Sequence, residues 1–239
     1  MNITIVTLFP AMFQGVFGAS VIGRAVDRGL VTIRVVNLRE FGIGRHRVVD
    51  DTPYGGGGGM VLKPEPIARA LESIPHKGRV ILTTPRGRPF SQNDALRLST
   101  LPHITILCGH YEGVDERVST LFVDEEISIG DYVLTGGELP AMVITDAVVR
   151  LVPGVLGKDT LATGDSHYEG LLEHPQYTRP RRFMGLDVPD VLLAGDHEAI
   201  RRWRREQAVE KTRKTRPDML ESMSDGQKTH KDARDDRGR

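Results

Sequence analysis

Three segments of the chain place glycine beside polar and aromatic residues at the ends of apolar runs. They are TTPRG at 83–87, CGHYEGVDERV at 108–118 and SIGDYVLTGGELP at 128–140. Glycine lets the main chain approach a bound molecule closely, and main-chain N–H and C=O groups exposed at strand ends can then recognise it. Each segment alone is equally compatible with a tight turn, but the three together, with their apolar flanks, predict one pocket for a small molecule.

The common glycine-rich nucleotide signatures are absent from the sequence. No G-x-G-x-x-G occurs, since YGGGGGM at 54–60 lacks the final glycine and follows a loop. GKD at 157–159 has neither the upstream glycine nor the Ser or Thr of a phosphate loop. These absences argue against an ordinary dinucleotide or NTP site. The single cysteine, Cys108, excludes an intrachain disulfide and a thiolate zinc site.

The elements that must position these segments are short β-branched runs separated by helical patterns. The runs are ITIVTLF at 3–9, VTIRVVNL at 31–38, RVILTTP at 79–85, ITILCG at 104–109 and LFVDEEISIG at 121–130. Among the helical patterns, SQNDALRLSTL opens on a Ser cap, and LPAMVITDAVVRLVPG is a longer apolar helix that stops before Pro153. This alternation predicts an α/β fold with a mainly parallel sheet.

The composition changes after about residue 155, where strand-like runs give way to Gly, Pro and charged residues until a helical stretch at 197–210. We therefore predict an α/β domain over residues 1–155 and a linker over 156–175. A small helical domain is expected over 176–223, and a disordered tail over 224–239, which has almost no apolar residue.

Net charge by itself indicates no partner, because 32 Lys and Arg balance 32 Asp and Glu. The segment 179–216 is locally basic, with eleven Lys or Arg against six Asp or Glu, and it surrounds Trp203 with four arginines. Such a segment can bind RNA phosphates or can simply be a solvated helix face. Trp203 can equally be the core anchor of the small domain.

The first residues are apolar, but they lack a basic segment and are interrupted by Pro10, so they predict a first strand rather than a signal peptide. No run approaches the roughly 18 consecutive apolar residues that a membrane helix requires. Together with the single cysteine, this composition predicts a cytoplasmic protein without a membrane partner.

The motifs CGHYEGVDERV and IGDYVLTGGELPAM, preceded by PYGGGGGM and followed by LVPGVLG and YTRP, resemble those of the bacterial tRNA (guanine-37-N1)-methyltransferases of the SPOUT class. The resemblance extends from ITIVTLFP near the start to RRWRREQ in the predicted helical domain. One departure is visible, because that family usually carries a proline within the glycine run where this chain reads GGGGG.

The resemblance implies a trefoil knot at the C-terminal end of the α/β domain, whose loops hold S-adenosylmethionine in a bent form. Main-chain groups would recognise the adenine and ribose, and Leu134 and Pro140 would supply apolar walls. Glu112 could face the sulfonium or could equally be a surface acid. The residues expected to contact the cofactor are Thr83, Thr84, Pro85, Gly109, Tyr111, Glu112, Ser128, Ile129, Gly130, Tyr132, Leu134, Gly136, Gly137 and Pro140.

Methylation of guanine N1 requires a base for the N1 proton and a donor for the charge that develops on O6. By resemblance the base is Asp165, in GDSHYEG, and the donor is Arg150, in VVRLVPG. Without the resemblance, Asp165 would be read as a turn residue and Arg150 as a cation that complements a helix dipole.

The resemblance also implies tRNA as substrate, a homodimer whose two subunits build each active site together, and a magnesium requirement for which the sequence shows no ligand set. The residues expected to contact the tRNA are Arg45, His46, Asp50, Arg179, Arg201 and Arg205. Two alternatives remain. One is a catalytically silent RNA-binding scaffold, and the other is a related enzyme that modifies a ribose 2′-hydroxyl or a ribosomal RNA base.

Overall fold

The computed structural model describes residues 1–157, 165–168 and 170–221. The chain divides into two compact units, Met1–Thr160 and Leu161–Arg239. Part of the predicted linker, at 158–164 and 169, lies outside the described residues, as do the end of the predicted helical domain and the whole predicted tail.

The first unit is built on a five-stranded sheet of order β2-β1-β6-β5-β7 in which every neighbouring pair is parallel. The strands are β1 (Asn2–Thr7), β2 (Thr32–Asn37), β5 (Arg79–Pro89), β6 (His103–Cys108) and β7 (Glu125–Ser128). The predicted mainly parallel α/β fold is therefore confirmed. The strand expected over 121–130 began too early, because Leu121 and Phe122 belong to a helix. The Asp115 side chain caps that helix by accepting a hydrogen bond from the Arg117 N–H.

Helices cover both faces of this sheet. They are α1 (Gln14–Phe17), α2 (Ser20–Asp27), α3 (Pro64–Glu72), α4 (Gln92–Ser99), α5 (Glu116–Phe122) and α6 (Glu138–Val149). Alternate strand residues point to opposite faces, so Ile81 packs with Leu98 and Val148 in one core cluster, whereas Leu82 packs with Leu71 in the other. This arrangement leaves the carboxyl edge of the sheet open between the helices.

A short antiparallel pair, β3 (Asp50–Asp51) and β4 (Val61–Leu62), encloses the glycine run of the first unit. In the second unit, β8 (Arg182–Phe183) and β9 (Leu186–Asp187) form a hairpin that precedes the helix α7 (His197–Thr215). Asp196 caps α7 by accepting from two main-chain N–H groups. Among the described residues, no helix combines the length and the apolar character needed to cross a bilayer.

Asp94 anchors an ion-pair network beside the carboxyl edge of the sheet. Its carboxylate lies 2.7 Å from Arg88 Nη2 and accepts from the Ser91 N–H at 3.0 Å, completing a capping box at the start of α4. Burial alone would raise the pKa of Asp94, but the hydrogen bonds from Arg88 and Ser91 outweigh it and hold that pKa well below its usual range.

Asp94→Ala is expected to lower the free energy of unfolding by about 1–3 kcal/mol at neutral pH, because it removes the cap partner and the charge-assisted bonds. Because the pKa of Asp94 is lower in the folded protein than in the unfolded chain, the ionised carboxylate stabilises the fold at pH values above the unfolded-state pKa. This contribution is complete above about pH 5 and is lost as the pH falls towards the folded-state pKa. Urea unfolding at pH 7 and pH 3 should show a smaller difference between the two proteins at pH 3. A difference that does not change with pH would contradict the assignment.

Candidate active site

The three glycine-bearing segments meet at the carboxyl edge of the sheet, because β6, β5 and β7 are neighbours and run parallel. They enclose a cavity of about 250 Å³. Every residue that the sequence predicted to contact a cofactor lines this cavity. The lining also includes Val61, Leu82, Arg86, His110, Gly113, Val114, Ile127, Val133 and Thr135, which the sequence analysis did not single out. The geometry brings the predicted set together, while their role in binding a cofactor stays a prediction.

Gly137 lies where the third segment touches the loop that follows β6. Its N–H donates to Gly109 O at 2.7 Å, and the Thr83 hydroxyl lies 3.2 Å from both Gly137 O and Leu107 O. A Cβ added to Gly137 would stand 2.7 Å from Gly109 N and 2.8 Å from Cys108 Cα, and it would also strike the Thr83 hydroxyl. The strand ends are thus joined by main-chain contacts that leave no room for a side chain.

Aromatic and polar groups surround the mouth of the cavity. Gly130 has φ +154°, and the Ser128 hydroxyl bonds both to its N–H and to its carbonyl, which fixes the turn after β7. Tyr111, at φ +58°, and Tyr132 expose about half of their side chains. The main chain and the apolar rings are therefore available to a planar ligand.

Glu112 is the only carboxylate among the described residues that line the cavity. Its main-chain N–H donates to Met60 O at 2.9 Å, and the neighbouring Gly113 O accepts from Leu62 N at 3.0 Å. Gly59, at φ +83°, packs so closely that a Cβ would clash with the Glu112 side chain. The glycine run thus supports the loop that carries this acid.

A buried polar network behind the cavity was missed by the sequence analysis. Glu138 is 2% exposed, and its Oε1 accepts from the Thr7 hydroxyl at 2.7 Å. Its Oε2 lies 3.9 Å from His110 Nδ1, and the His110 ring packs against Phe9 at 4.9 Å between centroids. The sequence signal was an acid directly after two glycines at the start of an apolar helix. This network ties the end of β1 to the loops of the cavity.

Cys108 lies at the end of β6 beside this network. Burial raises the pKa of its thiol well above the usual value, and the nearby Glu138 charge adds to the shift. A raised pKa favours the protonated thiol at neutral pH, which is typical of a buried structural cysteine.

The two residues predicted to act on the guanine belong to different units. Arg150 is the C-cap of α6, in the first unit, and its N–H donates to Asp146 O at 3.2 Å. Asp165 is half-buried in a turn of the second unit, where its carbonyl accepts from Tyr168 N at 3.3 Å. Their joint action on one guanine stays a prediction.

The residues predicted to contact RNA lie on the surfaces of both units. Arg45 and His46 are exposed in a turn that the Ile43–Val48 bridge closes, and Asp50 is half-buried in β3. Arg179, Arg201 and Arg205 are exposed in the second unit. Within the described part of the chain, no group of three or more His, Cys, Asp or Glu side chains could hold a metal ion.

Comparison with known proteins identifies the family. The family model described as tRNA (Guanine-1)-methyltransferase TrmD matches residues 1–222. A tRNA (guanine-N(1)-)-methyltransferase of Geobacter sulfurreducens is 57% identical over 223 residues, which cover 92% of this chain and 91% of that protein. The protein of the same name from Dictyoglomus turgidum is 57% identical over 225 residues, 94% of this chain and 91% of its own length. The one from Staphylococcus aureus is 55% identical over 223 residues, with 92% and 91% covered.

A family model that spans nearly the whole chain agrees with relatives that are more than half identical over about nine tenths of it. The chain therefore belongs to the TrmD family of tRNA (guanine-1)-methyltransferases.

Proposed function

We propose that this enzyme transfers a methyl group from S-adenosylmethionine to N1 of guanosine 37 in the anticodon loop of tRNA. The observation that carries the proposal is the cavity at the carboxyl edge of the sheet, built by three glycine-bearing loops in a member of this family. The position of the guanosine rests on the resemblance of the sequence motifs.

The lining of the cavity fits S-adenosylmethionine. Ile129, Leu134 and Pro140 offer apolar surface to an adenine ring, and the glycines expose main-chain groups around it. Glu112, the one acid of the described lining, suits the positive charge of a sulfonium. When bound, S-adenosylmethionine supplies an electrophilic methyl group and is left as S-adenosylhomocysteine.

The roles of Asp165 and Arg150 follow from the charges of the reaction. Guanine N1 is a weak nucleophile until its proton is removed, so the Asp165 carboxylate takes that proton. The charge left on the base spreads to O6, where the Arg150 guanidinium donates a hydrogen bond. Neither residue touches the cofactor in this scheme.

The exposed basic side chains bind the phosphates of the tRNA. Arg179, Arg201 and Arg205 in the second unit, with Arg45 in the first, supply the positive charge, and the ring of His46 adds a polar contact. Asp50 contacts the same anticodon loop that Arg45 and His46 contact. Nucleotide 37 lies in a single-stranded loop, where a base can leave its stack at modest cost.

The assembly and its setting are part of the same proposal. Two copies form a homodimer in which the Asp165 segment of one subunit serves the cavity of its partner, and the α/β domain contains a trefoil knot. Magnesium is expected to support the reaction without a dedicated set of protein ligands. A tRNA substrate fits an enzyme that acts in the cytoplasm, which is part of the proposal.

The test is methyl transfer from labelled S-adenosylmethionine to unmodified tRNA transcripts with guanosine or adenosine at position 37. We expect N1-methylguanosine, identified by nucleoside analysis, only with the guanosine transcript. Label in a ribose or in another base would favour a related enzyme of a different specificity. Cofactor binding without any transfer would leave an RNA-binding scaffold.

A further inference from the structure

The second unit contains a cavity of its own, of about 460 Å³, between α7 and the segment 174–181. Three rings line it, since the Trp203 centroid lies 6.3 Å from that of Tyr177 and 6.5 Å from that of His174. Both neighbouring rings are tilted by more than 50° from the indole plane. The indole is thus bordered by rings on two sides without being sandwiched.

The charge of this cavity is one-sided. Three guanidinium groups line it, those of Arg179, Arg181 and Arg204, and no carboxylate belongs to the described lining. An ion pair at its rim joins Arg181 to Asp190 at 3.1 Å, and its partners are 69% and 91% exposed. Asp190 offsets the charge of Arg181, and Arg179 and Arg204 still leave the described lining positive.

The aromatic rings that line this cavity are only partly buried. Tyr177 is 49% exposed and Trp203 is only half-buried, while the buried positions of α7 are Ala208 and Thr212. Val188, Leu192 and Ile200 add apolar surface to the same lining. An apolar, ring-lined cavity with arginines and no acids suits a flat aromatic group attached to an anion.

We propose that this cavity binds one unpaired nucleotide of the tRNA substrate, distinct from the guanosine that is methylated. The base stacks on Trp203 at the edge formed with Tyr177, and the phosphate lies against the arginine cluster. The assignment rests on the proposed function, which makes tRNA the ligand. Stacking on an aromatic ring accepts any base, so the site would read an unpaired backbone geometry more than a sequence.

Trp203 is the only tryptophan of the chain, so its fluorescence reports on this cavity alone. The full-length protein would be titrated with whole tRNA. Quenching of the Trp203 fluorescence, corrected for absorption by the RNA, and tRNA binding would be measured in the same titration. The tRNA would be assembled from two synthetic halves, so that each unpaired nucleotide in turn can be replaced by an abasic residue. We expect tRNA to quench Trp203, and one abasic position other than 37 to abolish the quenching and weaken binding by about ten- to a hundredfold.

Variants then test whether base and ring act together. Trp203→Ala should lower the affinity for intact tRNA. Once the indole is removed, the missing base should cost nothing more, so the variant should bind the abasic tRNA and intact tRNA with equal affinity. Trp203→Phe should restore most of the affinity, because it keeps an aromatic face. The matched control is Phe183→Ala, which removes a ring that is 64% exposed in the same unit and lies outside the cavity lining.

Two results would overturn the inference. The first is that tRNA still quenches Trp203 whichever of the tested positions carries the abasic residue. The second is additivity, in which the losses of binding free energy caused by Trp203→Ala and by the abasic residue sum when the two changes are combined. The first result is measured on the unaltered protein, so it tests the inference even if Trp203→Ala fails to fold. Methyl transfer to the same tRNAs separates the two proposals. If either of these results is found while methyl transfer is normal, only the proposed nucleotide site is contradicted. If the tRNA binds but is never methylated, the proposed reaction is contradicted instead.

Discussion

Asp165→Ala is expected to lower kcat for methyl transfer to guanosine 37 by about a hundred- to ten-thousandfold, the usual contribution of a positioned general base. The physical reason is that guanine N1 keeps its proton at neutral pH and cannot attack until a carboxylate accepts it. Cofactor affinity should be unchanged, because the proposed role of Asp165 is towards the guanine and the substitution leaves every described residue that lines the cavity of the first unit intact. Single-turnover transfer and calorimetric binding of S-adenosylmethionine measure the two quantities separately.

The matched control for this variant is Asp190→Ala, which removes a carboxylate from the same unit that is 91% exposed. It should transfer methyl groups at the normal rate. Asp165→Asn adds a second check, since an amide keeps the size of the side chain but cannot take the proton. Transfer at the normal rate by either Asp165 variant would remove this residue from the proposed chemistry.

Gly137→Ala is expected to abolish detectable cofactor binding, and with it transfer, because the new methyl group would meet the main chain at Gly109 and Cys108 within 2.8 Å. Atoms at that distance must move, and the atoms concerned belong to the loops that build the cavity. The hydrogen bond from Gly137 N to Gly109 O at 2.7 Å would be lost with them. Equilibrium dialysis with S-adenosylmethionine measures the loss.

Gly15→Ala serves as the control for the glycine substitution. Gly15 lies in α1 of the same unit, and a Cβ there would meet nothing within 4 Å. This variant should bind the cofactor normally and be slightly more stable, since alanine favours a helix over glycine. Cofactor binding by Gly137→Ala at the level of this control would contradict the role given to the close contact.

The two active-site variants together test the composite dimer. If Asp165 serves the partner's cavity, a mixed dimer of Asp165→Ala and Gly137→Ala holds one site in which both parts are intact. Co-expression with two affinity tags would isolate it, and it should transfer methyl groups at about half the normal rate per dimer. A mixed dimer as inactive as its parents would show that each subunit builds its site alone.

Much of the first unit was predictable from local patterns. Buried parallel strands need continuous β-branched runs, and these identified every strand of the main sheet to within a few residues, apart from the premature start of the last. That error arose at Leu121 and Phe122, where an apolar sequence fits a strand or a helix equally and the Asp115 cap decided for the helix. In the second unit the helical stretch expected over 197–210 is present as α7, whereas the β8–β9 hairpin was missed, because strands of two residues are too short to show an alternating pattern.

The sequence by itself determined the fold class, the three loops of one pocket and, through its motifs, the family. It could do so because parallel strands bring their carboxyl ends to one edge of a sheet, whatever the detailed packing. Only the tertiary structure revealed that Glu138 accepts a hydrogen bond from Thr7, a residue 131 positions away, and faces His110. It alone placed the rings of His174 and Tyr177 around Trp203. Such contacts join residues far apart along the chain, and neither propensity nor periodicity, which act over a few neighbours, can specify them.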